Sequence, residues 1–426
     1  MRITLRRIGA VSAGFLQTAV LVVMACALSL TSEQASATPV FKTLYSFQDG
    51  GGPQATVVRD SAGNLYGTAF GGNSVYEFTK DGTEKVLYTF CGFCTDGSLP
   101  AANLIIDQQG NLYGTTTFSS GAGGGTVFKL EPRHGTWKFV LLHAFCSRPL
   151  CEDGAIPVRG LTYQGMSSGA PYDGVSPLYG VTYEGGANNE GVVYQLTFSP
   201  GDKKPKQKTI YSFCSMTNCS DGALPLGDLL VDDVGNLYGT TSTGGDFSNR
   251  GGVVFELSPK GNKFRQRVLY TFCQLANCAD GQYPSASFAM DEKGRLFGTT
   301  QAGGDNGHGA VFELQPHGRS YRESVLYSFC PAGGSCVDGD VPEGVITNGS
   351  GDLFGTTLRG GANGNGVVFR VHGSAQTVLH TFCAPGDCSD GASPVGGLMS
   401  DGLGNLLGTT QTGGSSGQGT LYELTP

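Results

Sequence analysis

Charge is scarce in this chain, and a basic surplus is missing. Charged residues make up 15% of its 426 residues, and the formal net charge is −8. Nucleic-acid binding calls for a basic patch or stripe. The one basic run, Lys203-Lys-Pro-Lys-Gln-Lys208, reads as a solvated loop. Helical patterning is also missing, so a helix bundle or a doubly wound α/β fold is excluded. The six histidines do not cluster, and there is no His-x-x-x-His pair. A zinc-protease reading therefore finds no foothold. Trp137 is the single tryptophan; it opens a strand-like run and reads as a packing residue. After residue 37 no apolar run is long enough to serve as a transmembrane anchor.

What the chain does have is glycine, 69 residues, and a ten-residue phrase that keeps returning. The phrase is Asp107-Gln-Gln-Gly-Asn-Leu-Tyr-Gly-Thr-Thr116, with copies from Asp60, Asp232, Asp291, Asn348 and Asp401 and a degraded one at Ser176 to Thr182. Its marker glycines, Gly67, Gly114, Gly180, Gly239, Gly298, Gly355 and Gly408, are 47, 66, 59, 59, 57 and 53 residues apart. Periods of this size signal an array or a propeller. Each repeat holds four short apolar runs, here named A to D. In the fourth repeat they are 226–232, 236–242, 252–258 and 265–272, joined by turn-rich loops with no helical stretch between them.

The ends of the chain are out of phase with the repeat. It opens with a lone D-type run, Phe41 to Phe47, and finishes with A, B and C runs, the last being Thr420 to Leu424. Seven sets close only if the first strand completes the last blade, which also removes the open edges of an array. The expected fold is an all-β, seven-bladed β-propeller of four-stranded antiparallel blades, one domain over residues 38–426.

The phrase above, the Gly-Gly-x-x-x-x-Gly-Val-Val-Phe-Glu-Leu phrase (as in Gly244 to Leu257) and the Leu-Tyr-x-Phe run together resemble the Gloeo_Verruco ("GloVer") tandem repeat of exported bacterial proteins. The resemblance covers nearly all of residues 41–426. It implies a secreted repeat protein, often joined to a C-terminal surface anchor, with no assigned activity. This chain ends in a strand at Pro426 with no sorting tail.

Residues 1–37 read as an export signal. Arg2, Arg6 and Arg7 form the charged start, Val11 to Leu30 the apolar stretch, and Ala35-Ser-Ala37 the cleavage site. Secretion or a periplasmic location follows, and lipid anchoring through Cys26 is the lesser alternative. Twelve cysteines fall into six close pairs: Cys91/Cys94, Cys146/Cys151, Cys214/Cys219, Cys273/Cys278, Cys330/Cys336 and Cys383/Cys388. Even pairing in an exported chain reads as disulfides, each a local staple of its loop. Zinc would need four convergent ligands, whereas successive pairs lie a whole blade apart.

Seven loops carry Asp-Gly-x-x-Pro, at Asp49, Asp96, Asp153, Asp221, Asp280, Asp338 and Asp390. A ring of acids could coordinate a cation, but a residue identical in every blade answers a demand that every blade makes, so each aspartate is expected to cap its turn. The glycine-rich loops at Gly303 and Gly360 lack the acids of a calcium loop and the lysine and helix of a phosphate loop. Neither a cofactor nor a metal is called for.

Unlike residues appear where the A runs begin, three positions past each loop proline: Thr56, Asn103, Gly160, Asp228, Ser287, Val345 and Gly397, with Arg159 and Glu343 beside them. Candidate ligand-binding residues are Asn103, Arg159, Asp228 and Glu343, and no catalytic residue is assigned. The third repeat also carries an insertion, Gln164 to Val175. The functional expectation is a monomeric binding or interaction propeller for a protein or glycan ligand. The alternatives are a polysaccharide lyase or glycoside hydrolase with its site at the channel mouth, and a structural surface protein.

Overall fold

The computed structural model describes residues 38–426 apart from 49–50, 93, 120–122, 200, 203, 246–249, 285–287, 319 and 332–333. The export signal of residues 1–37 with Cys26, and Asp49 and Ser287, lie outside the described residues. Seven antiparallel sheets follow one another along the chain as a seven-bladed propeller. In the first blade Leu65–Ala69, Ser74–Phe78 and Glu84–Thr89 run outward from the short inner strand Val58–Arg59. The last blade begins with Ala392–Ser400, Leu406–Thr412 and Thr420–Thr425, and is completed on its outer edge by the N-terminal strand Val40–Ser46. Phe41 pairs with Leu424 and Ser46 with Thr420. The third blade departs from the pattern. Its regular sheet has three strands, and the inner one is reduced to the bridges Ala155–Glu184 and Thr162–Tyr179.

The core lies between blades, because each sheet has apolar residues on both faces and only a neighbouring blade can cover them. One cluster joins Val181, Val193 and Phe213 of the third blade to Leu229, Val253 and Phe255 of the fourth. The marker glycine of the phrase is explained by the C strand beside it. A Cβ at Gly180 would meet the Tyr194 hydroxyl at 2.4 Å, and one at Gly239 the Phe255 ring at 2.4 Å. The aromatic ring crosses the B strand where the side chain is missing. The first threonine after it ties blades together: Thr68, Thr115 and Thr409 donate through Oγ1 to the carbonyls of Ala102, Arg159 and Ala55 in the next blade.

The Asp-Gly loops are organised from within. Asp221 is fully buried. Its Oδ2 accepts hydrogen bonds from the Tyr211 hydroxyl at 2.6 Å, the Ser215 N–H at 2.9 Å and the Ser215 hydroxyl at 2.8 Å, and its Oδ1 one from the Met216 N–H at 3.2 Å. Where histidine replaces the D-strand tyrosine it takes over that contact, His143 to Asp153 at 3.1 Å and His380 to Asp390 at 2.9 Å. Gly222 follows in left-handed conformation (φ 98°), and a Cβ there would sit 2.6 Å from Thr241 Oγ1.

Every cysteine pair is bridged within itself: Cys91–Cys94, Cys146–Cys151, Cys214–Cys219, Cys273–Cys278, Cys330–Cys336 and Cys383–Cys388, with Cα–Cα distances of 3.9 to 5.4 Å. Closing loops this short contributes about 2 kcal/mol each by loop entropy. At the second cysteine the structure departs from the sequence expectation in two ways. No helical stretch was expected between strands, yet Cys151, Cys219 and Cys278 each end a short 3-10 helix, Pro149–Cys151, Thr217–Cys219 and Ala276–Cys278. All three are left-handed, with φ of 53°, 52° and 53°. Nor are these residues only staples. The carbonyls of Cys151, Cys219, Cys278 and Cys388 accept from the N–H groups of Gly154, Gly222, Gly281 and Gly391 in their own loops at 2.8 to 3.0 Å. The same four carbonyls accept from Gly186, Gly245, Gly304 and Gly414 in the adjoining B–C loops at 2.7 to 3.0 Å. The physical reason is that a carbonyl has two lone pairs, and the tight turn aims it outward at the neighbouring glycine-rich loop. The disulfide thus fixes the residue whose backbone joins two loops.

One blade contact is sensitive to pH. Gln207, Gln266 and Gln376 each donate from Nε2 to the carbonyl of the preceding loop aspartate, Asp153, Asp221 and Asp338, at 3.1 to 3.3 Å. In the fifth blade the same register position is Glu323, opposite Leu314 as Gln266 is opposite Leu257. Its Oε1 is buried without a hydrogen-bond partner. Burial first, and then the Asp280 charge, push its carboxyl up to about 7 against the opposing hydrogen bond of Tyr270. A raised carboxyl is neutral and harmless below pH 4.5 and costs stability as pH rises through about 7. Glu323→Gln should therefore leave melting unchanged at pH 4.5 and stabilise the protein at pH 8 by about 2 kcal/mol, after discounting for partial exposure. Equal melting shifts at both pH values in thermal denaturation would refute the assignment.

Candidate functional site

The inner strands surround a cavity of about 330 Å³. Six of the seven positions three residues past the loop prolines line it: Thr56, Asn103, Gly160, Asp228, Val345 and Gly397. Arg159 and Glu343 line it as well, so all four candidate binding residues come together in one place. They sit on the inner edges of blades two, three, four and six. Glycine supplies the remaining space: a Cβ at Gly397 would meet nothing within 4 Å.

These polar groups form a connected wall. Asn103 Oδ1 accepts from the Thr56 N–H at 3.0 Å, and its Nδ2 donates to Asp228 Oδ2 at 3.3 Å. The Gly160 N–H donates to Asp228 Oδ1 at 2.7 Å. This link across the third blade depends on the bare α-carbon there. A Cβ at Gly160 would stand 3.3 Å from Asp228 Oδ1 and 3.4 Å from Asn103 Cβ. Arg159 donates from Nε to the Leu226 carbonyl. Glu343 Oε1 accepts from Gln301 Nε2 at 2.9 Å. Burial pushes the Glu343 carboxyl up, while the Arg159 guanidinium and the Gln301 hydrogen bond pull it back.

Below the polar rim the walls are apolar, with Leu104, Leu229, Leu398 and Met399 among the lining residues. The insertion of the third repeat reaches the cavity too, through Met166 and Ser167. Ser167 Oγ donates to the Val231 carbonyl at 3.3 Å, and Gln164 Nε2 to the Asp233 carbonyl at 2.6 Å. On the other side the Gln108 N–H donates to the Tyr172 carbonyl at 3.2 Å, and the Tyr172 ring is fully buried against Tyr113. The insertion thus spans from the second blade to the fourth, across the channel end remote from Arg159 and Glu343. Sequence reasoning flagged this segment as a departure from the repeat but did not place it in the channel. Gln301 was missed, since nothing in its local sequence marks it.

The other histidines and cysteines form no competing site among the described residues. The bridged cysteines, Cys151, Cys219, Cys278 and Cys388 included, do not line the cavity. His308, Cys330 and Cys336 lie together, as do Cys91, Cys94 and Asp96, but these sulfurs are in disulfides and offer no thiolate to a metal. Among the described residues no helix is long and apolar enough to cross a membrane.

The family model described as the Gloeobacter/Verrucomicrobia repeat matches residues 29–177, 167–337 and 275–426. No curated protein matches the sequence. Among solved structures the fold is similar to virginiamycin B lyase from Staphylococcus aureus, with a TM-score of 0.55 and 12% identity over 91% of this chain and 99% of that one. A streptogramin B lyase structure is similar at a TM-score of 0.54 and 12% identity, over 91% and 97%. A catalytically inactive virginiamycin B lyase from Staphylococcus aureus with quinupristin gives 0.55 and 12%, over 91% and 99%. At such identity these likenesses establish the propeller fold and nothing finer.

Proposed function

We propose that this chain, which belongs to the Gloeobacter/Verrucomicrobia repeat family, is an exported binding protein that holds a small ligand in the channel of its propeller. The observation that carries this reading is the cavity of about 330 Å³, where unlike polar residues replace the sevenfold repeat and the third-repeat insertion contributes Met166 and Ser167 to the lining. A structural propeller has no need of unlike polar side chains in the stretch that follows each loop proline. Concave sites with an apolar body and a few placed polar groups are the usual form of a ligand pocket. Export is supported by the signal-like residues 1–37 and by six disulfides, which persist in oxidising compartments.

One observation favours the hydrolase or lyase alternative: two carboxylates, Asp228 and Glu343, share the cavity, and burial raises that of Glu343 as a general acid requires. A single experiment separates the two. The purified protein is incubated with a panel of small molecules and oligosaccharides, and whatever it retains is recovered and weighed by mass spectrometry. Retention of one equivalent at unchanged mass is the expected result. A product mass that forms with the native protein and not with Glu343→Gln would establish catalysis instead, and retention of nothing would refute the pocket.

A further inference from the structure

We infer that the Cys91–Cys94 bridge is a reducible disulfide that exchanges electrons with a dithiol partner, a function separate from the channel. A bridged pair holds no metal, but it can be attacked by a thiolate, and the six bridges are not equal targets. This pair alone has Cys-x-x-Cys spacing, while the others join residues five or six positions apart. Both of its cysteines are exposed, whereas in the other five pairs each cysteine is buried or half-buried. Attack needs access to sulfur, and exposed bridges are the labile and catalytic ones. The loop around it is also held differently. The carbonyls of Cys151, Cys219, Cys278, Cys336 and Cys388 each accept from two glycine N–H groups, one in their own loop and one in the adjoining B–C loop. Among the described residues the Cys94 carbonyl accepts from neither kind. Opening Cys91–Cys94 therefore releases no joint between loops.

Asp96 gives the reduced form a partner that the oxidised form lacks. Its Oδ2 accepts from the Tyr88 hydroxyl at 2.8 Å and the Cys91 N–H at 3.2 Å, but its Oδ1 is buried without a hydrogen-bond partner. In Asp153, Asp221, Asp280, Asp338 and Asp390 both carboxylate oxygens are engaged. A carboxylate oxygen of Asp96 and both sulfurs lie within 4.8 Å of one another. A bridged sulfur has no proton to donate, and a thiol has one. Reduction thus brings a donor to a carboxylate with an unpaired buried oxygen, and leaving such an acceptor unpaired is costly. In the exchange a partner thiolate attacks one exposed sulfur, and the Cys91–Cys94 bond breaks with its electron pair leaving on the other. The partner's second thiolate attacks the mixed disulfide, closes the partner's own disulfide and frees the second cysteine. Cys91 and Cys94 take up the two protons that the partner's thiols gave up, so two electrons and two protons pass to the protein.

The purified protein is equilibrated with glutathione buffers of increasing reducing ratio, free thiols are alkylated, and each pair is read by peptide mass spectrometry. Cys91 and Cys94 should be half reduced at a ratio of reduced to oxidised glutathione at least about tenfold below that needed by any other pair. Melting of the protein at that ratio should be unchanged. Asp96→Asn, which puts an amide donor in place of one carboxylate oxygen, should move that ratio toward the others and leave theirs where they were. The reduced pair should in turn open a cystine-bridged peptide, and the double variant Cys91→Ser with Cys94→Ser should not. If all six pairs open together, or this pair opens only as the protein melts, it is a staple like the rest and the inference is overturned. Peptide reduction by the double variant, or an unmoved ratio in Asp96→Asn, would overturn it as well.

Discussion

Deleting residues 38–48 should leave a chain that does not reach a stable monomeric fold. The deleted segment contains the whole outer strand of the last blade, Val40–Ser46, with its pairing to Thr420–Thr425. Phe47 is buried and packs against Tyr76 of the first blade at a ring distance of 5.0 Å. Phe41 stacks on His380 at 3.7 Å and lies 5.3 Å from Tyr422. Losing a buried phenylalanine costs about 3–5 kcal/mol by itself. Removing Phe47 and the half-buried Phe41, together with Leu44 and Tyr45 of the Phe47 cluster, reaches the roughly 5–15 kcal/mol that holds a typical domain together. The strand Thr420–Thr425 would then become a free edge, open to pairing with other copies. Size-exclusion chromatography should show aggregates, and a synthetic peptide of residues 38–48 added during refolding should restore some monomer by strand addition. A truncated protein that stays monomeric with unchanged melting would rule out the clasp.

That clasp was legible because it is a matter of counting: one D-type run too many at the start and one too few at the end. The repeat phrase was legible in the same way, and the structure supplies reasons for its letters. Glycine stands at 180 because the Tyr194 ring crosses there, and at 222 because Thr241 fills the space a side chain would take. Features present in every blade average over the local noise of any single one. The cysteine pairing was readable from spacing, but the second role of Cys151, Cys219, Cys278 and Cys388 was not. It belongs to their backbone carbonyls, which carry no sequence signature. The site was legible only in outline. The strand register delivers Asn103, Arg159, Asp228 and Glu343 to the channel, so position past the loop proline sufficed to group them. How they connect was not readable. Asn103 and Asp228 are 125 residues apart and meet only because Gly160 leaves a gap between them. Gln301 reaches Glu343 from the neighbouring blade, again through closure of the ring. Their hydrogen bonds also make them part of the wall, so Asp228 and Arg159 contribute to the scaffold as well as to the cavity. The regularity of the third blade was overestimated, since the insertion that shapes the channel end replaces its inner strand with two bridges.

The repeated aspartates should prove far more costly to remove than an ordinary turn cap. A cap contributes about 1 kcal/mol, but Asp221 is fully buried and accepts four hydrogen bonds. Asp221→Ala would take this buried acceptor away from the Ser215 and Met216 N–H groups and the Tyr211 hydroxyl, although Ser215 and Met216 themselves face solvent. Each unsatisfied donor costs about 1–3 kcal/mol, so a loss of roughly 3–5 kcal/mol is expected once partial relaxation and water entry are allowed. The companion effect is acid sensitivity, clearest at Asp153. Burial raises its carboxyl, but hydrogen bonds from His143 and from Ser147 and Arg148 outweigh burial and hold it at about 2. A carboxyl depressed in the folded state stabilises above its unfolded value near 3.8, and that contribution is lost as pH falls toward about 2. Asp153→Asn should therefore destabilise the protein at pH 7 by about 2–3 kcal/mol and show little further loss on acidification over that window. Denaturant melts of the native protein and both variants at pH 7 and pH 2.5 measure this directly. If Asp221→Ala melts like the native protein, the buried hydrogen bonds are not what organises the loop, and the identity of this residue in every blade needs another cause, such as a shared cation.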